Sequence, residues 1–245
     1  MSEPSAAAIM SDEVLRAVAS SNLRRLSPER LDEFFTGATR RHVAAGSTIR
    51  GEGTTGPHCE LIVSGFIRAY VGAPDGRSLT IRYLRPGALA GVVSLFTPQF
   101  SMPGSLQALI DTDLIVLRPE TVQRLAAQDL SVAGALLSEL GERVLSFVTE
   151  IPGSAFATVR QRVARHLLDL ASERQHGTAL VARISQQQLA DAVGSVREVV
   201  VRALRELREA GIVETGPGGI RILDPESLYS EVYGALPKDL WNQGS

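Results

Sequence analysis

ISQQQLADAVGSVREVVVRALRELREAGIV, residues 184–213, carries two helix starts and two helix stops. Ser185 followed by Gln188, and Ser195 followed by Glu198, are Ser-x-x-Gln/Glu patterns, ten residues apart. In such a pattern the serine oxygen accepts from first-turn N–H groups while the third residue reaches back. Gly194 and Gly211 stand where the two helices should end, because a left-handed closing residue is cheap only for glycine. The second helix is therefore expected over about residues 196–210, with Val200, Ala203, Leu204 and Leu207 as its buried stripe. Leu189, Ala192 and Val193 are the counterpart on the first helix, and Arg197, Glu198, Arg202 and Arg205 are left near the exposed side.

A helix that presents its first turn to a major groove can pair an arginine bidentately with guanine and let a glutamate accept from a cytosine amino group. Both residue types stand in the first turn here, as Arg197 and Glu198. A plainer alternative has Glu198 completing a capping box and Arg202 and Arg205 pairing with Glu198, Glu206 or Glu209 on a solvated face. The residues that follow favour the first reading. Residues 212–215 and 220–223 read as two strands joined by Gly216, Pro217, Gly218 and Gly219. Two helices followed by a tight hairpin make a winged helix-turn-helix.

Residues 184–213 resemble the DNA-binding motif of the Crp/Fnr superfamily of bacterial transcription regulators. The signature R-E-x-V-x-R stands here as Arg197, Glu198, Val200 and Arg202. The resemblance implies that Arg197 and Arg202 contact guanine or thymine edges of a TGTGA-like half-site and that Glu198 contacts a cytosine. It also implies that Ser185, Gln186 and Gln187 touch the phosphate backbone. Val196 and Val199 replace polar residues often found beside these positions.

The chain has 245 residues, 44% of them hydrophobic, enough for one large domain or two modest ones. No apolar run approaches the roughly 20 residues that span a bilayer, and residues 1–10 lack the basic start of a secretion signal. The cytoplasm is the expected compartment, with no membrane partner. Cys59 is the only cysteine, which leaves no intramolecular disulfide, no four-thiolate zinc site and no cysteine-held iron–sulfur cluster within one chain. A small buried hydrophobe is the expected role of Cys59. The net charge is −2, yet residues 155–222 hold ten arginines against seven acidic residues, a local excess of +3. Lys238 is the sole lysine, so nearly every cation is a guanidinium suited to bidentate contacts.

Between Arg41 and Leu117 short apolar runs alternate with glycine-rich turns, at 47–50, 60–63, 66–71, 78–84, 106–110 and 114–117. That spacing predicts a β-barrel or jelly roll. Gly51, Gly53 and Gly56 spell G-x-G-x-x-G, but the pattern needs a helix at its end to hold a pyrophosphate, and Pro57, His58 and Cys59 lead into another strand. The turns at 62–65, 72–76 and 85–87 fall where cyclic-nucleotide-binding barrels of the same superfamily carry comparable turns. The resemblance thus covers about residues 24–223.

Residues 87–108, GALAGVVSLFTPQFSMPGSLQA, resemble the family's phosphate cassette. The family places a glutamate for the ribose and an Arg-Ser pair for the cyclic phosphate there. This chain has Val92 at the glutamate position and Met102 and Pro103 at the Arg-Ser positions. Phe147 and Val148 stand where the adenine-contacting Thr and Ser would be. A buried phosphate without a cation or donors is costly. Cyclic AMP in the usual pose is disfavoured, which leaves an apolar ligand, a rearranged nucleotide or no ligand.

Ala133, Leu137, Leu140, Val144, Phe147 and Ile151 step by fours and threes on a helix beginning near Leu130 or Ser131. Such a seam suits a two-helix coiled coil, and packing against the chain's own barrel is the alternative. Leu137, Leu140, Val144 and Phe147 are the expected dimer contacts. A helix break and hinge are expected at Pro152-Gly153. Beyond it AFATVRQRVARHLLDLA resembles the family's linker helix, with Phe156 and Arg162 at matching places and Val159, Val163, Leu167 and Leu170 at packing intervals.

The expected fold class is α+β: a tail or helix over 1–23, a sensor barrel over 24–129, a dimerisation helix and hinge over 130–153, a winged helix-turn-helix over 154–225 and an extension over 226–245. No catalytic or metal site is expected. His42, His58, His166 and His176 are isolated, and Asp111 with Asp113 reads as surface charge. The expected function is that of a homodimeric transcription regulator acting on double-stranded DNA, with an unidentified effector and RNA polymerase as a further candidate partner. The alternative is a small-molecule sensor whose winged helix docks on protein.

Overall fold

The computed structural model describes residues 9–72, 78–173 and 180–233, and excludes some side chains, those of residues 147–156 among them. Two compact units emerge, residues 1–146 and 147–245.

The N-terminal unit opens with helices, the second of the two expectations for its first residues. They are α1 (Asp12–Ala19), a 3-10 turn (Asn22–Arg25) and α2 (Pro28–Phe34). Strands β1 (Thr39–Val43), β2 (Thr48–Arg50), β3 (Cys59–Ser64), β4 (Ile67–Gly72), β5 (Ser78–Leu84) and β6 (Leu89–Ala90) follow. The short helix α3 (Val92–Phe96), β7 (Ser105–Ala108), β8 (Thr112–Leu117) and α4 (Pro119–Gln128) complete the barrel region. Two four-stranded sheets, in the orders β1-β8-β3-β6 and β2-β7-β4-β5, pair antiparallel throughout. Each expected strand is present, with ends shifted by a residue or two.

Alternation along β3 explains why CELIV is buried on both faces. Ile62 joins a core with Val43, Ile49, Ile67, Leu106 and Leu114, while Cys59, Leu61 and Val63 join a second core closed by the helices. Val14, Leu23, Phe34 and Phe35 are fully buried in that second core, so residues 9–23 cover the barrel rather than trail from it.

Helix α5 runs over Leu130–Phe156. Val132, Ala135 and Leu136 bury themselves in the helix-side core, and Leu140 packs partly against it. Leu130, Leu137 and Val144 stay exposed, with open space over Gly134 and Gly141. The exposed stripe is thus Leu130, Gly134, Leu137, Gly141 and Val144, and Leu140 is turned partly toward the chain's own barrel. The side chain of Phe147 lies outside the described residues.

The helix break expected at Pro152-Gly153 is absent, because α5 continues to Phe156. Proline at that place removes one backbone donor, toward the carbonyl four residues earlier. The break falls at Ala157 and Thr158 instead, where a capping box starts the next helix. The Thr158 amide donates to Gln161 Oε1 at 2.9 Å, and the Gln161 amide donates to Thr158 Oγ1 at 3.2 Å.

The C-terminal unit contains α6 (Val159–Glu173), β9 (Val181–Ala182), α7 (Gln186–Ala192), α8 (Arg197–Glu209), β10 (Val213–Gly216), β11 (Gly219–Ile222) and α9 (Pro225–Tyr233). Val163, Ala164, Leu167, Leu168 and Ala171 form the buried face of α6, whereas Val159 and Leu170 are half-buried. The hairpin pairs Gly216 with Gly219 around Pro217-Gly218, and β9 adds a third strand that the sequence reading did not foresee. Gly219 has φ +124°, and a Cβ there would meet the Ala182 carbonyl oxygen at 2.5 Å, so this close approach needs glycine. Helix α9 packs on α6 through buried Leu228, which makes residues 225–233 part of the packed unit rather than an extension.

Candidate nucleic-acid interface

Helix α7 starts with the expected capping box. The Gln188 amide donates to Ser185 Oγ at 3.2 Å, and the Ser185 amide and hydroxyl donate to Gln188 Oε1 at 3.1 and 2.9 Å. Leu189, Ala190 and Val193 bury its inner face. Ala190 takes the place expected of Ala192, which is exposed because it lies on the far side of the turn. Gly194, at φ +61°, closes α7, and the Ser195 amide returns to the Ala190 carbonyl at 2.9 Å.

The capping box expected at Ser195 does not form. Val196 is the N-cap residue of α8, in extended conformation, with no side-chain cap bond. The two helices begin at Gln186 and Arg197. One residue of shift removes Ser195 from the capping position and releases Glu198 from the reciprocal bond.

Val200, Ala203, Leu204 and Leu207 are buried as expected, and Gly211 at φ +72° ends α8. Two arginines of α6 hold the pair of helices. Arg162 donates through Nε to the Val193 carbonyl at 2.9 Å and through Nη1 to the Ala157 carbonyl at 2.8 Å, satisfying groups beside helix ends. Arg160 binds Glu206 at 2.9 Å and Glu231 at 2.6 Å.

These bonds bear on the plainer reading of the charged face, in which its arginines and glutamates pair with one another. Glu206 is taken by Arg160, and Arg205 makes only a 3.8 Å surface contact with Glu209. Arg197, Glu198 and Arg202 are exposed, and none has an ion-pair partner among the described residues. Glu198 and Arg202 line one shallow hollow of about 310 Å³ together with Val199, Val201 and Arg205. Ser185 and Gln186 line another, of about 450 Å³, between the start of α7 and the hairpin, with Arg183, Gln188 and Thr215. Gln187 is exposed at the same helix start. The face offers free guanidinium donors and a free carboxylate acceptor on a rigid helix, the groups that read base edges.

The barrel holds a different kind of polar site. Val92 is fully buried in the helix-side core, Met102 rests on the core between the sheets, and Pro103 is exposed. These cassette residues therefore do not converge on one cavity, since an apolar side chain at 92 joins the nearest core. The side chains of Phe147 and Val148 lie outside the described residues.

What the cassette region does contain is a buried cluster that the sequence reading missed. Glu60 is 1% exposed and binds Arg50 at 2.6 and 2.7 Å. A register irregularity in β2 between Thr48 and Arg50 sets Arg50 opposite Leu106, on the inner side of the barrel. The second Glu60 oxygen, Oε2, has no hydrogen-bond partner, and neither has Nε2 of buried His58. Burial depresses the His58 pKa, opposed by Glu60 and assisted by Arg50. Ser94 of α3 clasps His58, accepting from its amide at 2.8 Å and donating to its carbonyl at 2.9 Å. Nothing in the sequence marks this cluster except a glutamate within an otherwise apolar strand.

Other residues of interest resolve into structure. Cys59 is fully buried and its thiol is pushed well up by that burial, so it packs as a hydrophobe. Asp113 accepts from Arg40 and His42 at 3.1 Å each. Burial would raise its pKa, but those bonds outweigh it and hold the carboxyl below its usual range. Asp111 accepts from the Ala45 amide at 2.9 Å. Among the described residues no three His, Cys, Asp or Glu side chains come together as a metal site would require, and no helix is long and apolar enough to cross a membrane.

Residues 40–129 match the family profile of the cyclic nucleotide-binding domain, and residues 161–231 that of the Crp-like helix-turn-helix domain. The cyclic AMP receptor protein of Thermus thermophilus is 31% identical over 209 residues, 85% of this chain and 95% of the relative. The cAMP-activated global transcriptional regulator Vfr of Pseudomonas aeruginosa is 29% identical over 192 residues, 75% of this chain and 88% of the relative. The crystallised regulator CLP of Xanthomonas campestris, described as c-di-GMP responsive, shares the fold with a TM-score of 0.52 at 24% identity, over 80% of this chain and 99% of that one. With the domain order and these relatives in agreement, the chain belongs to the Crp/Fnr family of transcription regulators, which act by binding DNA and are not enzymes.

Proposed function

We propose that the protein acts in the cytoplasm as a homodimer on double-stranded DNA, reading a palindromic, TGTGA-like site with Arg197, Glu198 and Arg202. The observation that carries this reading is the absence of ion-pair partners for these three exposed groups among the described residues, on a helix held through Glu206 by Arg160. Ser185, Gln186 and Gln187 anchor the phosphate backbone at the start of α7. Leu137 and Val144, in the exposed stripe of α5, supply the dimer contact, with Gly134 and Gly141 permitting close approach. Two-fold symmetry then repeats the reading helix one helical turn along the duplex. RNA polymerase is the further partner expected of a regulator at a promoter.

The names of two relatives attach cyclic AMP to them, and that of a third cyclic di-GMP. For this chain cyclic AMP in the family's pose is disfavoured. Val92 and Met102 bring no charge, and the Arg50 guanidinium is already neutralised by Glu60. Supporting a different effector are two buried atoms, Glu60 Oε2 and His58 Nε2, that lack partners. The His58 Nδ1 lies 3.4 Å from the Gly56 carbonyl, which places the proton on Nδ1 and makes Nε2 an acceptor. Two acceptors suit a ligand that donates hydrogen bonds, not an anion.

Selection of binding sites from random duplexes tests the reading. The wild-type protein should enrich a palindrome, and Arg197→Ala should relax preference at one position and cost about 1 to 3 kcal/mol. Affinity should fall steeply with salt, as counterions are released from neutralised phosphates. An affinity indifferent to salt and sequence would assign the winged helix to a protein partner instead.

A further inference from the structure

Val201 is 38% exposed in the middle of the charged face of α8. Arg197 lies one turn before it, Arg205 one turn after, and Glu198 three residues before, so all are its neighbours on the helix surface. With Glu198, Val199, Arg202 and Arg205 it lines the hollow on that face. The core does not need it, because Val200, Ala203, Leu204 and Leu207 already form the buried stripe. A β-branched residue in a solvated helix interior sacrifices side-chain freedom with no local return. Val196, 64% exposed, breaks a second local preference, that of an N-cap for a side chain able to accept from the first-turn N–H groups. Positions where local preferences are broken without local compensation are where function is expected.

We propose that Val201 is a specificity-determining residue that reads thymine, by packing its isopropyl group against the C5-methyl within the half-site contacted by Arg197, Glu198 and Arg202. The inference rests on the DNA-reading assignment above and deepens it. Thymine alone among the four bases carries a methyl group on its major-groove edge. Guanidinium and carboxylate groups discriminate by hydrogen bonds and cannot register that carbon. An apolar side chain set among them can, and the contact removes the exposed surface of both groups from water.

Full-length protein bound to its selected duplex provides the test, with each thymine replaced singly by deoxyuridine, which keeps every hydrogen-bonding group and removes only the methyl. One thymine per half-site should be sensitive, with the wild type losing about fourfold in affinity for each methyl removed from the contact. Val201→Ala, at a partly exposed site, should keep the wild-type unfolding midpoint and bind the thymine and deoxyuridine duplexes equally. A scan in which no thymine is sensitive overturns the role of Val201, as does a Val201→Ala protein that retains the full sensitivity. If selection enriches no sequence at all, the DNA-reading assignment falls and this inference with it. An enriched site with a flat deoxyuridine scan removes the thymine contact alone.

Discussion

The two units place their charged groups in opposite circumstances. On α8, Arg197, Glu198 and Arg202 stand in water without ion-pair partners among the described residues. In the barrel, Glu60 is buried against Arg50 and one of its oxygens is unsatisfied. Water solvates a free surface charge at little cost, so a reading face can be left open without weakening the fold beneath it. A buried carboxylate has no such freedom. The function proposed for the C-terminal unit is therefore separable from stability, whereas the buried charges of the barrel are bound up with it.

The largest expected effect follows from that separation. Arg50→Met leaves the Glu60 charge buried without its counter-ion, and breaking such pairs costs about 3 to 5 kcal/mol. Since the Arg50 side chain retains 24% exposure, the lower end is expected, about 3 kcal/mol in a denaturant titration. Arg202→Ala should change stability by less than about 0.5 kcal/mol while weakening specific DNA binding by about 1 to 3 kcal/mol. The contrast breaks if Arg50→Met leaves the transition where it was, or if Arg202→Ala destabilises the chain as much as Arg50→Met does.

The barrel should also respond to acid in a way the reading face does not. His58 has its pKa depressed in the folded state, mainly by burial. Below the unfolded value of about 6.5 the unfolded chain therefore binds more protons than the native one, and stability rises with pH across that window. Acidification from about pH 6.5 toward the depressed folded value should lower stability by up to about 1.4 kcal/mol per pH unit from this group. Below the folded value the His58 contribution levels off. His58→Gln should flatten the slope, as measured by unfolding at a series of pH values; an unchanged slope would show that His58 is solvated rather than buried.

How much of this was legible beforehand depended on whether apolar residues carried the signal. The stripe Val200, Ala203, Leu204 and Leu207 and the central strands were readable because burial and periodicity coincide there. Strand β1, sequence TRRHV, was invisible because it is a charged edge strand, fixed by Arg40 and His42 meeting Asp113 across β8. The stripe on α5 was misphased in part because Gly134 and Gly141 do not score as hydrophobic, whereas Leu140 does but is turned toward the barrel. Proline and glycine at 152 and 153 suggested a stop that the Thr158 capping box places further on. The cluster of Glu60, Arg50 and His58 had no periodic signature, since it depends on a register irregularity that only the folded sheet creates.

The smallest effect probes the one-residue shift between the two helix starts. Ser185 and Ser195 open equivalent motifs in the sequence, yet only Ser185 makes cap bonds. Ser185→Ala should therefore cost about 1 kcal/mol, the usual worth of a serine N-cap. Ser195→Ala should stay within about 0.5 kcal/mol, because no cap bond is lost. Equal losses in the two variants, followed by thermal unfolding, would mean that α8 begins at Ser195 and that Glu198 is held in a capping box. Glu198 would then be unavailable to accept from a base, so this small difference in stability bears directly on whether the carboxylate of the reading face is free.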